Sequence, residues 1–327
     1  MKHINPTSVI LPVLAVLLTC MQSCVSQDLP EERVNVQFTV LNPATKAGPV
    51  DQENAVNSLD IFVIRKSDDL VCAHERSSGP NVYVRIPKDI TVRYIICANL
   101  PEDSLKEVLT GAGLDAAIAD LSTVTACGFP MRYADEAVFT TDATKDVQLE
   151  RLMSKVSIKG ITCQFMDTYL GNTPATLNAI WLINAAGSSR WDATADPSAR
   201  WYNARVEDTS LASSVRPYLR VDLSRTVTSS ATDDTEYCLY AFPNTYPEAS
   251  APYGSTRLVI DMTIAGTRYY YPITLPVMQP NRNYIIRKVT LRFTGSTDPN
   301  EKVELVDIDF LLSILPWGSV NKDVVID

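Results

Sequence analysis

Residues 34–41 read Val34-Asn35-Val36-Gln37-Phe38-Thr39-Val40-Leu41, a stretch in which apolar and polar side chains alternate up to Leu41. Because successive side chains of a β-strand point to opposite faces, Val34, Val36, Phe38 and Val40 share one face, and the polar residues share the other. The stretch therefore predicts a strand with one face buried in a core.

Short stretches of similar composition recur along the chain and are separated by turns rich in Pro, Asn, Asp and Ser. One segment resembles a helix; it begins near residues 103–104, and glycines interrupt it. Many short strands with little helix predict an all-β fold of antiparallel sandwiches. The further predicted strands are residues 59–65, 82–86, 90–98, a strand that begins near residue 150 and runs toward Cys163, and residues 179–183, 218–222, 236–242, 257–264, 268–275, 283–293 and 303–315.

The chain begins with the features of an export signal. Lys2 supplies positive charge, and residues 9–19 form an uncharged apolar run that is too short to span a bilayer. Two cysteines follow, as is typical of a bacterial lipoprotein. We expect Cys24, which comes after Ser23, to carry acyl chains that hold the chain to a membrane, with Cys20 as the alternative. Ordinary secretory cleavage is the other interpretation.

The composition limits the class of partner. The 327 residues carry 29 Lys and Arg against 38 Asp and Glu, a formal net charge of −9. This balance, without a long basic run, argues against nucleic acid as a partner. A hydrophobic fraction of 46% is sufficient for packed cores, and the length favours two domains.

The sequence contains no residue set that is typical of catalysis. His74 is the single histidine beyond the signal, and it lies two residues after Cys72. A nucleophilic pair is conceivable there, but a strand edge or a surface loop is the preferred interpretation. Because no nucleotide-binding, metalloprotease or hydrolase motif occurs, we predict a protein that is not an enzyme and that binds no cofactor and no metal.

Five cysteines beyond the signal show no close pairing and no CxxC spacing, which argues against a zinc site and a disulfide framework. An odd number leaves at least one free thiol, and buried cysteines that pack as small hydrophobes are the expected state. These residues are Cys72, Cys97, Cys127, Cys163 and Cys238.

Three tryptophans, Trp181, Trp191 and Trp201, are spaced ten residues apart. Exposed aromatic rings on a surface protein could stack on sugars, so a glycan-binding lipoprotein is an alternative of another class. Trp181, between Ile180 and Leu182, is predicted instead to lie in the core.

Several separate segments, in the same order along nearly the whole chain, resemble the fimbrillins of Bacteroides-type bacteria, which build lipoprotein-derived pili sometimes called type V. Each segment is weak alone, and Ser154 departs from the family pattern, which usually has alanine there. The segments are the lipoprotein signal, the strand 34–41 followed by Thr45-Lys46-Ala47, residues 92–99 ending in Ala98-Asn99, residues 151–156, residues 240–244, residues 281–300, and Leu315-Pro316-Trp317.

The resemblance implies two tandem transthyretin-like antiparallel β-sandwiches of Greek-key type. It places a lipoprotein signal peptide at residues 1–23 and a lipidated segment with the first strand at 24–46. An N-terminal sandwich then covers residues 47–150, and a C-terminal sandwich covers 151–327.

The resemblance also implies a route of assembly at the outer membrane. In such pilins a trypsin-like protease cuts behind the first strand, and the opened groove accepts a donor strand from another fimbrial subunit. The matching site here is Lys46–Ala47, with Arg33 as an alternative. The expected partners are fimbrial subunits of the same or another kind, the membrane through the lipid, the protease, and a host or bacterial surface ligand. A permanent first strand, as a lipid-retaining anchor subunit would keep, is the other interpretation, and a tip subunit of the same pilus is a further alternative.

The last ten residues, 318–327, follow a proline and carry Val320, Val324 and Ile326 on one alternating face. They could fill the groove of a neighbouring subunit as a donor tail. A strand that folds back on its own domain is the alternative.

Overall fold

The computed structural model describes residues 31–41, 53–166, 169–171, 173–194, 201–204, 207–246, 254–301 and 308–317. Nine strands belong to the first half of the chain. They are β1 (Arg33–Val40), β2 (Leu59–Arg65), β3 (Val71–Ser77), β4 (Asn81–Pro87), β5 (Thr91–Ala98), β6 (Ile118–Asp120), β7 (Met131–Val138), β8 (Ala143–Val147) and β9 (Glu150–Arg151).

Eight of these strands form two facing sheets. The smaller sheet has the order β4-β1-β8, and the larger one has the order β3-β2-β5-β7-β9. Neighbouring strands of the larger sheet are all antiparallel, but β1 runs parallel to β8, with Val36 opposite Ala143 and Val40 opposite Val147. The all-β prediction is confirmed, with this parallel pair as an addition.

The core between the two sheets follows from the alternation of side chains. Inward residues of β1, β2, β4 and β5 form one apolar cluster, completed by Phe139, Val147 and Leu149. The opposite face of the larger sheet is buried as well, because Phe62, Ile64 and Ile95 pack into a second cluster that extends through the rest of the protein.

Asn99 ends β5 and fixes the chain that follows it. Its backbone has a φ of 63°, a left-handed conformation that asparagine tolerates better than most residues. Its side chain accepts from the Asn57 amide at 2.8 Å and donates to the carbonyls of Ala55 and Phe129 at 2.8 and 2.7 Å. Asn99 therefore holds the end of β5 to the backbone at Ala55, Asn57 and Phe129.

Eleven strands belong to the second half. They are β10 (Ser154–Cys163), β11 (Ala175–Ile183), β12 (Ala185–Ala186), β13 (Ser188–Arg190), β14 (Trp201–Tyr202), β15 (Arg220–Val227), β16 (Tyr237–Ala241), β17 (Arg257–Ile264), β18 (Thr267–Thr274), β19 (Arg282–Leu291) and β20 (Ile308–Pro316).

Two four-stranded sheets form the second sandwich. Their orders are β16-β10-β19-β20 and β15-β11-β17-β18. The pairing is antiparallel except between β10 and β19, which run parallel from Lys155 opposite Asn283 to Cys163 opposite Leu291. Residues of both sheets fill the core between them.

Short helices and a small ladder join the two halves. Helix α1 spans Gly111–Ala116, α2 spans Leu121–Cys127 and α3 spans Arg216–Leu219. The short strand β6 pairs with β13, so that Ile118 lies opposite Arg190 and Asp120 opposite Ser188. One buried cluster contains Phe129 from the first half and Tyr240 and Trp317 from the second.

Two sequence predictions are wrong in detail. The helix predicted to begin near residues 103–104 begins at Gly111, because Thr110 supplies the N-cap by accepting from the Gly113 amide at 3.1 Å. The strand predicted at 218–222 begins only at Arg220, since the residues before it form α3. Strands β3, β7 and β8 were not predicted. Consecutive exposed residues break the alternation in β3 and β7, and β8 carries three polar residues in succession, Thr144, Lys145 and Asp146.

Candidate functional site

Strand β1 occupies the middle of its sheet, between β4 and β8. Val34, Val36, Phe38 and Val40 are 6%, 0%, 0% and 5% exposed, so the one-sided burial predicted from the sequence is confirmed. A central strand has neighbours on both sides. Its removal would uncover an apolar groove and leave β4 and β8 with unpaired backbone groups.

Phe38 is fully buried and packs among aromatic rings. Its ring centroid is 4.9 Å from that of Tyr94 and 6.4 Å from that of Phe139, and the Tyr94 and Phe139 rings are 6.1 Å apart. The Lys145 ammonium lies 5.3 Å above the Tyr94 ring and 5.6 Å above the Phe139 ring. The position is therefore an aromatic pocket that already holds one cation at its rim.

A polar network closes the rim of the aromatic pocket. The Tyr94 hydroxyl donates to Asp135 Oδ2 at 2.9 Å and accepts from Lys145 Nζ at 3.1 Å. Burial, followed by the Asp135 carboxylate, raises the pKa of Tyr94. Hydrogen bonds from the Glu136 amide and then from Tyr94 lower the pKa of Asp135. At neutral pH the network thus pairs an anion with a cation across a neutral phenol.

The two ends of β1 are held by specific hydrogen bonds. The Asn35 amide donates to Asp142 Oδ1 at 2.7 Å, and this bond lowers the pKa of Asp142. At the other end the Val40 amide donates to the Pro80 carbonyl at 2.8 Å and the Leu41 amide to the Val147 carbonyl at 2.9 Å. The predicted cleavage site at Lys46 and Ala47 lies outside the described residues. Arg33 is the first residue of β1.

A buried polar cluster surrounds Glu53, which is 5% exposed. Lys155 Nζ lies 2.8 Å from Glu53 Oε1, and the Tyr240 hydroxyl donates to the same oxygen. Trp317 Nε1 donates to Oε2 at 3.0 Å, and Arg151 Nε donates to the Glu53 carbonyl at 3.0 Å. Both carboxylate oxygens are therefore satisfied inside the protein.

Trp317 directly follows β20 and is 6% exposed. Its ring lies 5.6 Å from Tyr240 and 5.5 Å from Phe129, with the Arg151 guanidinium 4.7 Å above it. Its amide donates to the Asn281 carbonyl at 2.8 Å. Trp317 and Pro316 also line a cleft of about 820 Å³. The predicted donor residues Val320, Val324 and Ile326 lie outside the described residues.

The remaining predicted site residues fall into two groups. Cys20 and Cys24, the candidates for lipidation, lie outside the described residues. The five later cysteines are free thiols; Cys97, Cys163 and Cys238 are buried, and Cys72 and Cys127 are half-buried. Burial raises the pKa of both Cys163 and Cys238 to about 12.

The histidine considered above lies on an edge strand, β3, as expected. His74 Nε2 is 3.0 Å from Asp60 Oδ1, and its ring stacks on Phe62 at 4.3 Å. The Cys72 thiol donates to the Val63 carbonyl at 3.4 Å. Both side chains thus have structural partners along β2.

The tryptophans do not form a sugar-binding platform. Trp181 is fully buried, as predicted, and Trp191 is 2% exposed. Trp201 is half-buried, with its ring 5.6 Å from Tyr246. Because two of the three rings face the protein interior, the glycan-binding alternative loses the feature that suggested it.

Neither a metal centre nor a membrane-spanning helix occurs in the part of the chain that the structure describes. The described residues contain no group of three or more His, Cys, Asp or Glu residues placed to hold a metal ion. They also contain no helix long and apolar enough to cross a membrane.

Solved structures of other proteins have a similar arrangement of strands. A scan against protein-family models and a search of curated proteins matched nothing. Among solved structures, a candidate cell adhesion protein from Bacteroides eggerthii is 21% identical, with a TM-score of 0.68 over 88% of this chain and 97% of that chain. A fimbrilin (FimA) from Porphyromonas gingivalis W83 is 12% identical, with a TM-score of 0.62 over 88% of this chain and 99% of that chain.

This chain has the fimbrilin fold. The tip fimbrial protein Mfa3 from Porphyromonas gingivalis, with a C-terminal truncation, is also similar, at 15% identity and a TM-score of 0.52 over 88% of this chain and the whole of that chain. The family resemblance inferred from the sequence segments is therefore confirmed for the fold.

Within this fimbrilin fold, the cluster around Glu53 was missed by sequence reasoning. Arg151, Lys155 and Trp317 lie in segments that resemble the family, but the sequence assigned them no role. Glu53 lies in a polar stretch that no periodicity distinguishes. A carboxylate 264 residues from its tryptophan partner could be found only once the fold had brought them together.

Proposed function

We propose that this chain is a structural subunit of a cell-surface fimbria, exported as a lipoprotein and assembled by strand exchange. The observation that carries the proposal is the position of β1, a central strand with four buried residues, in a chain with the fimbrilin fold. Fimbrial and candidate cell adhesion proteins are the structures it resembles, which supports a role in adhesion.

The energetics of β1 support removal followed by replacement. Burial of Val34, Val36, Phe38 and Val40 contributes about 1.5–3 kcal/mol for each side chain. A domain that lost this strand would expose all four positions and two unpaired strand edges. Strand addition restores both the ladder hydrogen bonds and the apolar contacts, so the groove would bind a donor strand tightly.

The position of the processing site decides what a protease would release. A cut after Lys46 lies beyond the end of β1 at Val40 and frees the whole strand. A cut after Arg33 would leave Val34, Val36, Phe38 and Val40 attached to the domain. Lys46–Ala47 is therefore the site that fits strand exchange, with a trypsin-like protease as the agent.

Glu53, which follows the proposed cleavage site in the sequence, also supports cleavage at Lys46–Ala47. Its contacts with Lys155, Tyr240 and Trp317 hold the chain six residues after Ala47. A new N-terminus at Ala47 would thus be short and attached to the core.

The other parts of the proposal concern the two ends of the chain. Acyl chains on Cys24, or on Cys20, would hold the precursor at the outer membrane until the cut. The tail 318–327, with Val320, Val324 and Ile326 as plugs, would fill the groove of a neighbouring subunit. Such a head-to-tail contact does not close on itself, so it produces fibres.

Mass spectrometry of the assembled surface material tests the proposal. We expect the mature chain to begin at Ala47. A diacylated Cys24 in every assembled copy would contradict removal of β1. That result would support a lipid-retaining anchor instead. A tip subunit is the other candidate function, and the similarity to the tip protein Mfa3 favours it.

A further inference from the structure

The groove that β1 fills sets a definite requirement on its replacement. Four inward positions, those of Val34, Val36, Phe38 and Val40, are spaced two residues apart and are all buried. The third position is the aromatic pocket, with Tyr94 and Phe139 around Phe38 and Lys145 at the rim. A fitting donor needs four alternating apolar residues and a large ring at one of them.

The tail of this chain does not meet that requirement. Its even-numbered face carries Gly318, Val320, Lys322, Val324 and Ile326, and its odd-numbered face is polar except at Val325. Every run of four alternating positions on the even face includes Lys322. The ten residues also contain no aromatic side chain.

The mismatch holds for both strand directions. If the tail ran parallel to the departed β1, with Val320 at the Val34 position, Lys322 would enter the fully buried position of Val36, and Val324 would leave much of the aromatic pocket empty. If it ran antiparallel, Lys322 would enter the aromatic pocket itself. There its ammonium would meet Lys145, which already lies above both rings. Burial of an unpaired charge and an unfilled cavity both weaken binding.

Strand β20 has a more suitable pattern, but it is already in use. Ile308, Phe310, Leu312 and Ile314 alternate along it, with an aromatic residue among them. The strand pairs with β19 from Ile308 opposite Leu291 to Pro316 opposite Arg282, and Ile308 is 2% exposed. Its release would remove an edge strand from the core of the second sandwich.

We infer that the groove of this chain accepts its donor strand from a different subunit, one whose donor segment carries four alternating apolar residues with an aromatic residue where Phe38 lies. The inference rests on the proposed function, since it requires that β1 leaves. It makes this chain a member of a mixed fimbria and a poor acceptor for its own copies.

A peptide competition experiment tests the inference. The full chain is cut at Lys46–Ala47, and a fluorescent peptide of residues 33–41 then takes the place of its β1 segment. Unlabelled peptides compete with the fluorescent peptide for the groove. We expect the unlabelled 33–41 peptide to compete well, and its Phe38→Ala variant and the native 318–327 tail to compete about a hundredfold less well.

Repaired tails supply the matched controls. Lys322→Phe places a ring in the aromatic pocket for the antiparallel direction, and Lys322→Val with Val324→Phe does so for the parallel direction. One of these should compete at least about tenfold better than the native tail, whereas Asn321→Phe, on the opposite face, should not.

The outcomes separate the two proposals. A native tail that competes as well as the 33–41 peptide, or fibres formed by the cut chain alone, would overturn the inference and leave strand exchange intact. The absence of improvement in both repaired tails would overturn it as well. A cut chain that never exchanges the 33–41 segment for the labelled peptide would overturn the proposed function and the inference with it.

Discussion

Trp317 Nε1 donates a hydrogen bond to Glu53 Oε2 at 3.0 Å, and so connects the residue that follows β20 to a residue of the N-terminal half, 264 positions earlier. Both side chains are buried. The departure point of the proposed donor tail therefore lies beside Glu53, six positions after the predicted new N-terminus. Changes at that place should separate folding from assembly.

Removal of residues 318–327 should leave folding unchanged within about 0.5 kcal/mol and abolish assembly. Trp317→Ala in the full chain should instead lower the free energy of unfolding by about 3–5 kcal/mol, because the ring packs against Phe129 and Tyr240. Denaturant unfolding of both variants provides the comparison. A large loss of stability in the truncated chain would mean that the tail belongs to its own domain.

The buried pair of Glu53 and Lys155 should behave as a coupled unit. Glu53→Gln or Lys155→Met alone leaves one charge without its partner, at a cost of about 3–5 kcal/mol. The double variant should cost less than the sum of the two by at least about 1 kcal/mol. Chemical denaturation of the four proteins in this cycle measures the coupling, and strict additivity would show that the pair does not interact.

Phe38→Ala should destabilise the uncut chain by about 3–5 kcal/mol, since it empties the aromatic pocket between Tyr94 and Phe139. Thr39→Ala, on the other face of the same strand, is the control and should cost under about 1 kcal/mol. Thermal or urea unfolding distinguishes them. Equal effects would indicate that β1 contributes through its backbone alone.

The cysteines should differ sharply in reactivity. Burial raises the pKa of Cys163 and Cys238 to about 12, so almost no thiolate forms at pH 8. In the chain cut after Lys46, which lacks Cys20 and Cys24, iodoacetamide followed by intact-mass measurement should modify at most Cys72 and Cys127 in the native state and all five thiols after denaturation. Three or more labels in the native state would contradict the burial.

The same two thiols give a direction to the pH dependence. Their folded pKa lies above the unfolded value of about 8.5, so their contribution to stability is complete below that pH and is lost as the pH rises towards 12. Cys163→Ala with Cys238→Ala should therefore flatten the alkaline decline of the melting temperature. An unchanged decline would assign it to other groups, such as Tyr94.

The parts of the site that follow from local pattern were predictable, and the parts that follow from distant pairing were not. The alternation around Phe38 predicted the buried face of β1. The parallel pairing of Val36 with Ala143, 107 positions later, has no local signal, because the residues of β8 alternate only weakly. The burial of Trp317 likewise depends on Phe129 and Tyr240, which lie far from it in sequence.

The contacts of Trp317 also bear on mechanical load. A pull on residues 318–327 reaches the folded protein through Trp317, whose amide, carbonyl and indole bond to Asn281, Arg151 and Glu53. The force therefore passes into both halves of the molecule before it can strain the ladder between β19 and β20. In a fibre built from such subunits, the resistance to rupture under tension would depend on a few buried side chains around Trp317 in each subunit.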